Sequence, residues 1–277
     1  MTLETNVGVY PEQTIQIKSP IGGVVEISPY GAHVLSWMTP DGDQRMFLSP
    51  RAEFRMGAAI RGGVPVIFPQ FSGMGPLPKH GFARTKIWEV DRLTPESVVF
   101  SLSETPESMQ VWPYRFLAEY SIRLLDTSLE MAISVTNRDS LPISFTIALH
   151  TYLRVDHVSQ VLINGLQGLT YKESANLNKE FSDGAAYIAF TGEVDRIYLD
   201  IPGTIQLIDG ARNLRIQASG FSDAVIWNPG AEKCASLGDL RPDGYKQFVC
   251  VESASIGNPV NLLPGETWQG VQTLSPK

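Results

Sequence analysis

The sequence predicts an all-β protein, a large antiparallel two-sheet sandwich formed as one domain over residues 1–277. Three observations point there. Short apolar stretches with alternating character recur along the chain, separated by turn residues. No long stretch carries the 3.6-residue period of an amphipathic helix. No alternation of strand and helix suggests a parallel sheet, and a single all-β chain of 277 residues is most easily built as two packed sheets.

The elements follow in order. "ESVVFSLSET", "FLAEYSIRLLD", "SLEMAISVTNRD" and "ISFTIALHTYLRV" read as successive strands, with "LLDTSLEM" as a hairpin bent at Asp126, Thr127 and Ser128. "RIYLDI", "TIQLIDG", "NLRIQASG", "DAVIWNPG" and "QFVCVESAS" continue the pattern at the spacing of reversing strands. Short helices are expected near "SPRAEF" and "EKCASLGDL". No internal repeat or low-complexity linker marks a domain boundary.

Composition narrows the function classes. A hydrophobic fraction of 43% supports a sizeable core. A net charge of −7 argues against nucleic acid held on a basic surface, so basic residues that do cluster are expected to serve a local anion. Two cysteines fit a reducing compartment, the first residues lack the pattern of a secretion signal, and no apolar run approaches a membrane span. The expectation is a cytoplasmic protein with a small-molecule partner and neither nucleic acid nor membrane as partner.

The segment "IRGGVPVIFPQFSGMGPLPKHGFARTKIWEV" (60–90) is neither an ordinary loop nor a helix. Gly62, Gly63, Gly73, Gly75 and Gly81 permit close approach of backbone, while Pro65, Pro69, Pro76 and Pro78 stiffen it. Such a segment suits side chains that must hold still. It carries Arg61, Lys79, His80 and Arg84. The two arginines could clamp a phosphate or carboxylate, or pair with surface acids.

Strand alternation sorts the other candidates. Ile143, Phe145, Ile147, Leu149 and Thr151 share one face; Ser144, Thr146, Ala148, His150 and Tyr152 share the other, leaving His150 beside small and polar neighbours. It is either a half-buried surface histidine or a ligand-facing one. Glu252 shares a face with Phe248, Cys250 and Ala254, within a run apolar on both sides. A carboxylate there is costly unless hydrogen-bonded or functional, and burial would raise its pKa toward that of a useful base. Asp195 stands at a strand entry beside Arg196, the pattern of a solvated turn. Trp37, Trp88 and Trp227 serve as core or as stacking platforms for a sugar. Phosphate-binding and dinucleotide fingerprints are absent, and "GFSDA" is not a nucleophile elbow. His80, His150 and Glu252 could instead form a two-histidine, one-carboxylate metal site, since the spacing of strand-borne ligands is not diagnostic.

The motifs "IRGGVPVIFPQF", "HGFAR", "LHTYLRV", "EVDRIY", "VIWNPG" and "VCVESAS", in this order over nearly the whole chain, resemble the aldose 1-epimerase-like family, most of all its hexose-6-phosphate mutarotases (glucose-6-phosphate 1-epimerases). The resemblance implies a galactose mutarotase-like β-supersandwich and acid/base interconversion of the α and β anomers of glucose 6-phosphate. It implies no metal and no organic cofactor. His150 matches the family's general acid and Glu252 its general base. Asp195 matches an acid that binds sugar hydroxyls, and Arg61 and Arg84 match residues that hold the phosphate. His80 falls where related enzymes carry a second active-site histidine, and Lys79 is a further substrate binder. Action on free hexoses, or sugar binding without catalysis on the same scaffold, are the alternatives. A pure binder needs neither His150 nor Glu252.

Overall fold

The computed structural model describes residues 14–174, 176–182 and 184–277. Among them, two large antiparallel sheets face each other. One has nine strands in the spatial order Ile188–Ala189, Leu162–Asn164, Ile205–Ile208, Leu214–Ser219, Thr267–Pro276, Ser128–Asn137, Phe116–Leu125, Ser97–Ser103, Glu89–Leu93. The other has eight. Its main path runs Asn176–Ser182, Thr170–Glu173, Val194–Tyr198, Asp223–Asn228, Phe248–Leu262, Ile143–Leu149, Val66–Ile67, and Tyr152–Arg154 also pairs with Phe248–Leu262. A third sheet holds Ile15–Lys18, Val24–Ser28 and His33–Met38.

Alternation within each strand builds the core. Val98, Phe100, Phe116, Ile133 and Leu274 from the nine-stranded sheet meet Ile143, Ile147, Leu149, Ile226 and Val251 from the eight-stranded sheet in one continuous apolar cluster. The eight-stranded sheet is apolar on its outer face as well. There Ala148, Tyr152, Val225, Trp227, Phe248, Cys250 and Ala254 form a second cluster, joined by Phe47 and Phe71 from covering loops. Sheets buried on both faces read as near-continuous apolar runs, which explains the "QFVCVESAS" stretch. The expected face sets around His150 and Glu252 are those observed.

Three details differ from the sequence reading. "SPRAEF" forms no helix. It makes one turn closed by Ala52 N donating to Ser49 O at 3.0 Å, and Ser49 Oγ accepts from Arg51 N at 3.1 Å, diverting the backbone from a second turn. A helix that the reading missed, α1 (Pro106–Val111), has proline in its first turn and a reciprocal capping box between Thr105 and Ser108. The hairpin turn is only Asp126–Thr127, with Ser128 already paired to Leu125. The helix expected at "EKCASLGDL" is present as α2 (Gly230–Ser236). No helix among the described residues is long and apolar enough to cross a membrane.

Candidate active site

The site lies on the outer face of the eight-stranded sheet. Leu149 pairs with Ser253 and Tyr152 with Cys250, so the same register sets His150 directly across from Glu252. Their side chains point to the same face, and His150 Nε2 lies 3.3 Å from Glu252 Oε1. The ladder is broken at this point. Thr151 N donates back to Leu149 O at 3.0 Å, closing a three-residue turn centred on His150, while His150 N donates to Pro65 O at 3.0 Å. The imidazole is stacked on Tyr152, with centroids 4.8 Å apart, and meets Trp227 edge-on.

Both groups are buried, His150 at 8% exposure and Glu252 at 1%. Burial first, then the proximity of His80 and of the positively charged Arg84 and Arg61, holds His150 well below the usual histidine range. Burial, then the charge of Asp195, pushes Glu252 well above the usual carboxylate range, partly offset by Arg84. His150 Nδ1 and Glu252 Oε2 have no hydrogen-bond partner among the described residues.

The glycine-rich segment supplies the surrounding wall. Phe71 N donates to Thr146 Oγ1 at 2.7 Å, so the polar face of the neighbouring strand anchors the loop. His80 sits at φ +67° and is followed by Gly81 at φ +66°, where a Cβ would lie 2.2 Å from Phe68 O. Ser72 N donates to His80 Nδ1 at 3.3 Å, which leaves the proton on Nε2. Burial, with Arg84, Lys79 and Arg61 nearby, lowers His80 to about 3, so its ring is a neutral donor.

Arg61 Nε donates to Asp239 Oδ2 at 3.0 Å, and a terminal nitrogen donates to Tyr152 Oη at 3.0 Å. The acid pairing that the sequence left open therefore applies to Arg61. Arg84 has no carboxylate partner among the described residues. It donates to Lys79 O at 3.1 Å, and its Nε is buried without a partner. Asp195 lies within the strand Val194–Tyr198 rather than on a solvated turn. Its Oδ1 accepts from Ser174 Oγ at 2.6 Å, and Lys233 Nζ stands 3.7 Å from Oδ2. Burial raises its pKa, while Ser174 and Lys233 lower it.

All seven residues expected from the sequence line adjoining cavities. A central one of about 110 Å³ over the pair includes Arg61, Lys79, His80, Asp195 and Trp227. A second, of about 150 Å³, shares Arg61, Lys79, His80 and His150 and adds Arg84; its charged side chains are all basic. An outer one of about 420 Å³ continues past Asp195 to Glu173, Glu193 and Lys233. Trp37 and Trp88 are core, whereas Trp227 lines the site. Lys233 and Asp239 were not singled out from sequence; they reach the site by tertiary placement and carry no local signal, whereas Tyr152 reaches it through the alternation it shares with His150. No three His, Cys, Asp or Glu side chains among the described residues lie so as to hold a metal ion.

Comparison with known proteins finds relatives along nearly the whole chain. The model of the aldose 1-epimerase family matches residues 13–275. A relative from Cenchrus ciliaris, provisionally named glucose-6-phosphate 1-epimerase, is 36% identical over 266 residues, covering 90% of this chain and 80% of its own. One of the same provisional name from Escherichia coli is 35% identical, covering 81% and 77%. A solved structure from Salmonella typhimurium, provisionally named a mutarotase, superposes with a TM-score of 0.86 at 27% identity over 95% of this chain and 90% of that one. A galactose mutarotase related enzyme from Lactobacillus acidophilus shares the fold, with a TM-score of 0.78 at 18% identity over 96% and 97%.

Proposed function

The chain belongs to the aldose 1-epimerase family, and from that premise we propose that it is a hexose-6-phosphate mutarotase interconverting the α and β anomers of glucose 6-phosphate. The observation that carries this is the buried His150–Glu252 pair at 3.3 Å, with His150 also lining an adjoining cavity whose charged side chains are all cations. The names of the relatives support the same substrate class.

Glu252 takes the proton of the anomeric hydroxyl, and His150 gives a proton to the ring oxygen. The C1–O5 bond opens to the aldehyde, rotation about C1–C2 presents the other carbonyl face, and reclosure runs with the roles reversed. The pair needs one proton between them. Burial favours keeping it on Glu252, beside a neutral imidazole. Arg61 and Arg84 are among the charges that disfavour an imidazolium. A phosphate bound by them offsets those charges and shifts the proton toward His150, where the acid is needed. Asp195, held by Ser174 and Lys233, accepts from sugar hydroxyls, and His80 offers its Nε2–H as a donor. Lys79, exposed at the rim, adds a third cation.

The test is anomer-exchange spectroscopy by NMR on glucose 6-phosphate, galactose 6-phosphate and free glucose, with and without protein. Acceleration that is strongest for a phosphorylated sugar is expected. Binding without acceleration would make the protein a sugar-phosphate binder.

A further inference from the structure

Behind the pair, on the inner face of the same sheet, lies a polar network inside the apolar core. Thr151 follows His150 in sequence and Ser253 follows Glu252, so both point inward. Gln272 reaches them from the opposite sheet, on the strand Thr267–Pro276. Thr151 Oγ1 donates to Gln272 Oε1 at 2.6 Å, and Gln272 Nε2 donates to Ser253 Oγ at 2.8 Å. A weaker contact runs from the same nitrogen to Val251 O at 3.4 Å. Gln272 and Thr151 are fully buried, and Ser253 is 2% exposed.

An amide and two hydroxyls between packed sheets are not what a core needs, and their dehydration is tolerable only because they satisfy one another. Their position suggests a use. The turn at His150 is a local departure from the ladder, which an ordinary strand would erase by pairing straight through. Thr151 O still accepts from Val251 N at 3.1 Å, so the departure is confined to its N–H, turned back to Leu149 O, while its hydroxyl is bound to a residue of the other sheet. The second arm of the same amide holds the residue next to Glu252.

We propose that Gln272 is a positioning residue for the reaction: by binding Thr151 and Ser253 it fixes the turn that aims His150 at Glu252. The inference rests on the assignment of these two as acid and base.

Gln272→Leu alone would leave both hydroxyls unpaired in the core. The decisive variant is therefore the triple Gln272→Leu/Thr151→Val/Ser253→Ala, which removes the network without leaving one of its polar side chains unpaired. The expected result is a wild-type circular dichroism spectrum, KM for glucose 6-phosphate within about twofold, and kcat lower by about tenfold or more, because small misplacements of reacting groups are costly. The second arm is Thr151→Val, which cuts only the link beside His150 and should also lower kcat with KM kept. A kcat within about twofold of wild type in the folded triple variant, or loss of the fold in both variants, overturns the proposal and leaves the network a stabilising one. His150→Ala is measured alongside. Wild-type exchange in that variant would remove the acid assignment itself, a failure distinct from that of Gln272.

Discussion

His150 and Glu252 are each displaced from their ordinary pKa in the direction that favours neutrality, and this sets a pH dependence with two limbs. As pH falls through the depressed value of His150, both groups carry protons and Glu252 can no longer accept one. As pH rises through the raised value of Glu252, both protons are gone and His150 has none to give. With free glucose, which adds no phosphate titration, kcat/KM should plateau between these limits and fall on both sides, the acid limb lying below pH ~6.5. A profile with a single limb would contradict the one-proton account. At either residue, His150→Ala or Glu252→Gln should reduce exchange by ~10²–10⁴-fold with the fold intact, and a rate within a few-fold of wild type would sink that residue's role. Arg84 gives the complementary case. Arg84→Ala should lower kcat/KM for glucose 6-phosphate by at least about tenfold, mostly through KM, and hardly affect glucose. Equal losses on both sugars would make it a structural residue.

At the scale of elements, the glycine-rich loop is held by close backbone contacts. Gly63 lies at φ +60°, and a Cβ there would fall 2.0 Å from Val34 O and 2.7 Å from His33 Nε2. Gly63→Ala should therefore cost more than ~1 kcal/mol of unfolding free energy and displace Arg61, two residues earlier. Denaturant melts together with KM for glucose 6-phosphate check both effects, and an unaltered melting midpoint would contradict the close approach. The strands were legible because alternation is local, as was the dual burial of the Glu252 strand. The break at His150 was not. It depends on Gln272, more than a hundred residues away, and the sequence around "LHTYLRV" reads as one continuous strand. The acid pairing of Arg61 was open for the same reason, since Asp239 is distant in sequence. By contrast α1 was readable in principle: Thr105, Pro106 and Ser108 are its start signal.

For the whole molecule, buried histidines link stability to pH. His33 lies fully buried in the third sheet, with Nε2 donating to Gly62 O at 2.7 Å. Burial lowers it to about 4. The unfolded chain protonates His33 near pH ~6.5 and the native protein does not, so the unfolded state binds the extra proton and stability falls on acidification. The loss from this residue amounts to about 3 kcal/mol by pH ~4. Glu252 acts in the opposite sense, since its raised value means that acidification relieves a cost of burial. Urea melts between pH 7 and pH 4 should show the His33 contribution as a slope that flattens in His33→Gln. An unchanged slope would mean that His33 is not held neutral in the native state.

Heating should separate the two halves of the site. Glu252 rides on a strand of a sheet buried on both faces and His150 on the short link between two strands paired to it, whereas Lys79, His80 and Arg84 ride on a longer connecting segment. Segments of that kind open at lower free energy than core strands. Turnover of free glucose should therefore persist until the sandwich itself melts. The advantage of the phosphorylated sugar should fade several degrees earlier, so that the warmed protein loses its selectivity before it loses its catalysis.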